Sequence, residues 1–169
     1  MTRNPEAIAL GFGAVSAALW SQREALELVL FKLVQERFVL TSGSTRWLGR
    51  ADAEVRAAIG RLQGGEVIRA AEADALALTV GIPAGASLAE LADAAPEPWH
   101  LVLTEHRTVL REVVREIEAV AAENRRLLKV GAGAIRETLD GLSRSISTYD
   151  GKGAAVSSHR GPILLDEQA

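Results

Sequence analysis

The side chains that could support catalysis or metal binding are few and scattered. Histidine occurs as His100, His106 and His159, and no two of these share the i, i+3 or i+4 spacing of a helical metal site. Cysteine is absent, so the chain has no thiolate ligand, no cysteine nucleophile and no disulfide. We therefore expect no metal, no cofactor and no enzymatic activity.

Two other motifs with possible chemistry lack their usual context. No serine lies in the Gly-x-Ser-x-Gly element that presents a nucleophile in hydrolases. Gly131-Ala132-Gly133 faintly resembles a phosphate-binding turn, but no strand pattern precedes it and the rest of a glycine-rich fingerprint is missing. A junction between helices is the better interpretation of these glycines.

Two features near the end of the chain favour recognition of another molecule. Tyr149 follows the last helical periodicity, and the apolar triplet Ile163-Leu164-Leu165 lies alone in a polar segment. Exposed apolar clusters lower solubility unless something covers them. We expect residues 147–169 to form a disordered tail that orders on binding; for the triplet, a tail folded back on its own bundle is the alternative.

The longest periodic stretch runs from Trp99 to Leu128, where apolar residues recur at alternating spacings of four and three. The positions are Trp99, Leu103, His106, Leu110, Val113, Ile117, Val120, Asn124 and Leu127. This is the seam of a coiled-coil-like helix. We interpret His106 and Asn124 as polar core residues that set the register of the helix, since a polar residue in a seam fixes alignment.

A helix of this length needs a partner along its seam. At 1.5 Å per residue it is about 45 Å long, more than the width of a compact domain of this size. The partner is another long helix of this chain, a second copy in a homodimer, or a client protein.

The first part of the chain predicts another long helix. Leu19, Leu26, Leu33 and Leu40 recur every seven residues, supported by Val29, Leu30, Phe31 and Phe38. We expect a loose N-terminus over residues 1–13 and a helix from about Ala14 that ends near Thr41-Ser42-Gly43-Ser44, with a kink at that place as the alternative to a full break. Gly43 should close it in the left-handed conformation, and Ser44 should cap the next helix.

The middle of the chain predicts a second long helix from Thr45 to about Val80. Gly64-Gly65 within it indicates a weak point or a close approach of another helix. Ser87-Leu88-Ala89-Glu90 predicts a capping box that opens a short helix to about Ala95. Beyond Lys129, the three residues from Gly131 should loosen the chain before a last helix that contains Ile135, Leu139, Leu142 and Ile146.

These patterns predict an all-α protein: an elongated antiparallel bundle of three long helices with short helices, over residues 14–146. The formal net charge is −3 with acids and bases interspersed, which argues against nucleic acid as a partner. No run reaches the roughly 18 apolar residues of a membrane-spanning helix, so we expect no membrane insertion.

Six motifs occur in order along the chain, over about residues 14–153: Trp20-Ser21-Gln22-Arg23-Glu24-Ala25-Leu26, Leu30-Phe31-Lys32-Leu33, Arg46-Trp47-Leu48, Ala95-Pro96-Glu97-Pro98-Trp99, Glu123-Asn124-Arg125-Arg126-Leu127-Leu128 and Tyr149-x-x-x-Gly153. In these motifs the chain resembles bacterial flagellar export chaperones of the FlgN family. This resemblance implies a cytoplasmic chaperone that binds hook–filament junction proteins, prevents their early association and delivers them to the flagellar export gate or its ATPase complex.

On this resemblance we assign client capture to an apolar set of Ile146, Ile163, Leu164 and Leu165. Tyr149 with Gly153 is assigned to docking at the export gate. The rival interpretation is a helical homo-oligomeric adaptor with no export role, because periodicity alone does not separate a seam that pairs with its own copy from one that holds a client. A scaffold of that kind has no need of Tyr149 or of the apolar triplet.

Overall fold

The computed structural model describes the backbone of residues 5–147 and the side chains of residues 5–140. It contains four helices: α1 (Pro5–Thr41), α2 (Thr45–Val80), α3 (Leu88–Asp93) and α4 (Trp99–Ser147). No strand occurs among residues 5–147. The predicted all-α class with three long helices is confirmed, and a single short helix lies between α2 and α4.

The chain divides into two compact units between Leu127 and Leu128, within α4. The first unit holds α1, α2, α3 and α4 as far as Leu127, and the second begins at Leu128. The predicted end of the bundle at residue 146 thus lies well after this division.

Helices α1 and α2 run antiparallel, as their short connection predicts. Lys32 Nζ lies 2.8 Å from the Glu54 carboxylate, whereas Gln22, earlier on α1, donates a 2.8 Å hydrogen bond to Glu66, later on α2. Gly11, nearer the start of α1, lies beside Leu76 near the end of α2. A three-residue turn joins the two helices, which therefore form a hairpin.

Helices α1 and α4 run parallel. Ser16 on α1 is paired with His106, and Leu33 is paired with Asn124, so partner positions increase together along both helices. The two pairs differ in sequence separation by only one residue, 90 against 91. Three long helices that alternate in direction produce such a parallel pair, because the third returns to the direction of the first.

Helix α1 begins at Pro5, so the prediction of a loose N-terminus up to residue 13 is wrong for the residues that the structure describes. Phe12 is fully buried and its ring stacks on Trp99 of α4, with centroids 5.7 Å apart. Glycine has a low helix propensity, but packing explains its presence at position 11. A Cβ there would come within 3.1 Å of Leu76 Cδ1.

The buried apolar residues of the first unit form two clusters. One lies where α3 and the start of α4 meet α1 and α2, and contains Phe12, Val15, Leu19, Ala73, Leu76, Ala77, Leu91, Ala92 and Leu103. The other contains Val29, Leu33, Val55, Ala58 and Val120. Burial of such side chains is the main favourable term in folding, at about 25 cal/mol per Å² of apolar area removed from water.

The seam predicted for α4 from Trp99 to Leu127 is confirmed, because every one of its positions is buried or half-buried. The seam predicted for α1 is correct for the heptad leucines but wrong for two aromatics that were expected to support it. Phe31 is 55% exposed and Phe38 is 65% exposed. Phe31 lies two positions before Leu33, about 200° around the helix, which places it on the opposite face.

The turns follow the glycine signals. Gly43, with φ 68°, and Gly81, with φ 86°, both adopt the left-handed conformation that ends α1 and α2. Ser44 is the N-cap residue of α2, as predicted, but its side chain makes no capping hydrogen bond there. The capping box of α3 is confirmed: Ser87 Oγ accepts from the backbone N–H of Glu90, and the Glu90 carboxylate accepts from the backbone N–H of Ser87.

The predicted junction at Gly131–Gly133 is wrong, since α4 continues without interruption to Ser147. Two glycines cost a helix about 2 kcal/mol relative to alanine. The surrounding alanine, leucine, arginine and glutamate residues, which favour helix, keep the segment helical.

Substitution of glycine by alanine is expected to act in opposite directions at two places in the hairpin. A Cβ at Gly64 or Gly65 meets nothing within 4 Å, so Gly64→Ala and Gly65→Ala should each raise the free energy of unfolding by about 1 kcal/mol. Gly43→Ala should lower it by about 1–2 kcal/mol, because φ there is 68°. Urea unfolding followed by far-ultraviolet circular dichroism measures both; a loss of stability at Gly64 would show that these glycines are needed.

Candidate partner-binding surface

The residues assigned to partner binding from sequence lie at or beyond the end of the described chain. Ile146 lies in α4, but its side chain is outside the described set. Tyr149, Gly153 and the triplet Ile163–Leu165 are outside the described residues. Among the described residues, the candidate surface is the part of α4 that precedes Ile146.

An exposed apolar stripe lies on α4 directly before Ile146. Leu128, Ile135 and Leu139, which we name the α4 stripe, are all exposed. Their spacing of seven and then four residues puts them on one face of the helix. Leu142 and Ile146 continue the same spacing in the sequence.

The composition of this segment separates an apolar face from a charged one. Lys129, Arg136 and Glu137 fill positions between the stripe residues, and every described side chain from Leu128 to Asp140 is exposed. An amphipathic helix with an uncovered apolar face is a typical site for a second amphipathic helix, which would remove that face from water.

A first polar layer joins α1 to α4 at His106. His106 is buried, and its Nε2 lies 3.1 Å from Ser16 Oγ, at hydrogen-bond distance. The ring of Trp20 meets the imidazole edge-on at 5.2 Å, and the Arg23 guanidinium lies over the Trp20 indole at 5.2 Å from its centroid. Burial lowers the pKa of His106; Glu105 opposes this change and Arg23 adds to it.

A second polar layer joins the same helices at Asn124. The Asn124 amide is buried, and its Nδ2 donates to the Leu33 carbonyl oxygen and to Glu36 Oε2, each at 2.8 Å. Glu36 is also buried. Beside this layer, Arg37 Nη1 lies 3.0 Å from the Glu123 carboxylate.

The role of His106 and Asn124 in setting the register of α4 stays a prediction, and the contacts of the two layers are the basis for it. Sliding α4 by one turn along α1 would leave the Asn124 amide and the Glu36 carboxylate buried without partners, at a cost of about 1–3 kcal/mol for each neutral group and more for a charged one. We therefore propose that both residues set the register of α4 against α1, and substitution of Asn124 by aspartate tests the contacts on which this depends.

Acidification is expected to destabilise the bundle through His106. The ordinary histidine pKa is 6.5, and the pKa of His106 is lower in the folded state. Below about pH 6.5 the unfolded chain therefore binds more protons than the folded one. As the pH is lowered, the free energy of unfolding decreases by at most about 1.4 kcal/mol per pH unit until the pKa of His106 in the folded state is reached. Urea titrations of wild type and His106→Gln at about pH 7.5 and about pH 5.5 isolate this contribution. Equal pH dependence in the two proteins would contradict it.

A group of exposed aromatic residues in the half of the hairpin nearer the turn between α1 and α2 was missed by sequence reasoning. Phe31, Phe38 and Trp47 are each about half exposed or more. The signal was present, since Phe31 and Phe38 are seven residues apart on the face opposite the leucine seam. Two exposed aromatics one heptad apart on the polar face of a helix indicate a second surface.

The described part of the chain offers no arrangement for metal chemistry or membrane crossing. Among the described residues, no three His, Asp or Glu side chains converge where a cation could bind. No helix within residues 5–147 has the length and apolarity needed to cross a bilayer.

The fold and the surface together define the class of protein. It is an all-α bundle whose long helix α4 carries an uncovered amphipathic segment, an arrangement typical of helical proteins that bind other helices.

The comparison with protein families gives the family. The model described as FlgN protein matches residues 11–157, most of the chain, and the chain belongs to the FlgN family. The family is one of flagellar export chaperones, so this chain has a general role in chaperoning proteins for flagellum assembly. No curated protein and no solved structure gave a significant match.

Proposed function

We propose that this chain is a cytoplasmic export chaperone for hook–filament junction proteins. It binds their terminal helices before assembly, keeps them from associating early, and delivers them to the flagellar export gate or its ATPase complex. The observation that carries the proposal is the α4 stripe, an exposed apolar helix face in a member of an export-chaperone family.

The proposed client site extends from the α4 stripe through Ile146 to Ile163, Leu164 and Leu165. Terminal segments of junction proteins are amphipathic and lack partners before assembly, so such a segment can lay its apolar face against the stripe. A chain that orders on binding gives less affinity per unit of buried area, because ordering has an entropic cost. Low affinity per unit area keeps binding reversible, and delivery requires release.

Paired aspartate variants on α4 test the client site. Ile135→Asp and Leu139→Asp should each weaken binding of a purified junction protein at least tenfold, because a charge on the stripe must be desolvated on binding. Gly133→Asp is the matched control: it adds the same charge to the same exposed segment on the opposite face, where a Cβ meets nothing within 4 Å. Calorimetry measures the affinities, and equal loss in the control would refute the assignment to the stripe.

Removal of residues 148–169 tests the C-terminal part of the site. The truncated chain should keep its helicity and its thermal transition but lose co-purification with the junction protein. Retention of full affinity would confine client binding to α4 and remove Ile163, Leu164 and Leu165 from the site.

Docking at the export gate is assigned to Tyr149 with Gly153. Tyr149→Ala should leave affinity for the junction protein unchanged and reduce secretion of that protein in a motile strain. Tyr149→Phe is the control, since it keeps the ring. Normal secretion by the alanine variant would remove the case for this residue.

The adaptor alternative predicts self-association through the same stripe. Sedimentation of the purified chain over a wide concentration range separates the two functions: a dimer lost in Ile135→Asp but kept in Gly133→Asp favours the adaptor, whereas a monomer that binds junction protein favours the chaperone.

A further inference from the structure

The end of the hairpin that carries the turn between α1 and α2 has an aromatic and cationic surface that the proposed function does not use. We name it the hairpin-end patch. It consists of Phe31, Lys32, Gln35, Phe38 and Val39 on α1 and Arg46, Trp47 and Arg50 on α2. All of these residues lie in the first unit, and none belongs to the predicted client or gate sites.

The aromatic side chains of the patch are exposed although this chain has few aromatics. The whole sequence contains three Phe, three Trp and one Tyr. Phe31 is 55% exposed, Phe38 65% and Trp47 49%. Aromatic side chains are the largest contributors to apolar burial, and on surfaces they concentrate at protein interfaces. Three of the seven aromatics are thus exposed on the same half of the hairpin, and such exposure is typical of a surface that a partner covers.

The spacing of the exposed side chains in the patch suits the binding of a helix from a partner protein. Phe31 and Phe38 are seven residues apart, so about 10 Å separates them along α1, which is two helical turns. A shallow groove of about 170 Å³ lies beside them between α1 and α2, lined by Lys32, Val39 and Trp47 among others. That volume accommodates one or two side chains and is too small for a typical cofactor. Side chains two turns apart on a docked helix would meet this ridge and groove.

The charge of the patch selects the partner. Lys32 and Arg50 both contact one carboxylate, Glu54, at 2.8 Å and 3.2 Å, and Arg46 lies over the Trp47 ring at 5.0 Å. Two cations of the patch, Lys32 and Arg50, therefore share a single anion, and Arg46 adds a third positive charge. The N-terminus of α2 adds the positive end of the helix dipole to these charges. No acidic residue in the first turn of α2 neutralises it.

We infer that the hairpin-end patch binds an acidic amphipathic helix of a partner protein, with the partner's apolar face on Phe31, Phe38 and Trp47 and its carboxylates beside Arg46 and the Lys32–Glu54–Arg50 group. The partner helix is distinct from the one that the α4 stripe takes under the proposed function. Cation–π pairs such as Arg46 with Trp47 suit this role, since Arg and Trp are enriched among the residues that dominate binding energy.

The test uses the full chain and a labelled synthetic peptide with leucine at i, i+3, i+4 and i+7 and glutamate at the other positions. Fluorescence anisotropy should show saturable binding that Phe38→Ala, Trp47→Ala and Arg46→Glu each weaken about tenfold or more, because each removes an anchor or inverts the charge. Leu101→Ala is the matched control, since Leu101 is equally exposed elsewhere in the first unit and should leave the affinity unchanged.

Each further arm of the experiment supports or overturns the inference. A peptide with lysine in place of glutamate should bind at least tenfold more weakly to wild type and regain affinity for Arg46→Glu. Tighter binding of oligo(dT) than of the acidic peptide would assign the patch to nucleic acid. Sedimentation showing a dimer that Phe38→Ala dissociates would assign it to a second copy. Either result overturns the inference.

The outcome is independent of the proposed function. Ile135→Asp and the chain without residues 148–169 should bind the acidic peptide with wild-type affinity. If they do not, the peptide is bound by the C-terminal part of the chain and the patch is not its site. Loss of junction-protein binding in these variants with retained peptide binding would show two separate surfaces.

Discussion

Replacement of Phe12 by alanine is expected to lower the free energy of unfolding by about 3–5 kcal/mol. Phe12 is fully buried and stacks on Trp99, so the substitution removes a large apolar side chain and leaves a cavity between α1 and α4. A loose N-terminus, as the sequence predicts up to residue 13, would make the same substitution neutral.

The control for this prediction lies two residues away. Leu10 is 74% exposed on the same helix, and Leu10→Ala should change stability by no more than about 0.5 kcal/mol. Urea unfolding of both variants at one pH gives the comparison. Equal effects at positions 10 and 12 would mean that the first turns of α1 are not packed on the bundle.

Replacement of Asn124 by aspartate is expected to lower the free energy of unfolding by about 3–5 kcal/mol. The substitution removes the donor that bonds the Leu33 carbonyl and Glu36, and it places a second carboxylate beside a buried one. Like charges at hydrogen-bond distance without solvent favour protonation of one of them, which requires free energy at neutral pH. The destabilisation should decrease as the pH is lowered toward about 5.

A second substitution distinguishes this interaction from a general loss of packing. Glu36→Gln in the Asn124→Asp background restores a donor–acceptor pair with the roles exchanged, and should recover at least about 1.5 kcal/mol of the roughly 3–5 kcal/mol lost. Ala122→Asp, on the exposed side of the same turn, is the control for the added charge and should be close to neutral. Absence of recovery in the double variant would contradict a direct pairing of positions 36 and 124.

The helices themselves were largely predictable from sequence. The bounds of α2 at Thr45 and Val80 and the start of α4 at Trp99 follow from local chemistry: left-handed glycines at positions 43 and 81, and prolines 96 and 98 directly before α4. Such signals act within a few residues, so no knowledge of the partner helices is needed to interpret them.

The sequence predictions are wrong where a residue far away in the chain determines whether a position is helical or buried. Gly11 lowers helix propensity, yet the adjacent Phe12 is fully buried against the bundle, so tertiary packing outweighs the propensity. The sequence pattern predicts that Phe31 and Phe38 support the leucine seam, although their angle on the helix places them outside it. For the candidate site, spacing predicted the face that holds Ile135 and Leu139, but not that this face is uncovered.

The sequence by itself determined an all-α chain, the positions of its turns, the polar residues in the α4 seam and membership of a chaperone family. The tertiary structure decided that His106 pairs with Ser16, that Asn124 pairs with Glu36, and which apolar residues are left exposed on α4 and at the hairpin end. The physical reason is that periodicity is a local property of one helix, whereas burial depends on which other helices lie against each face.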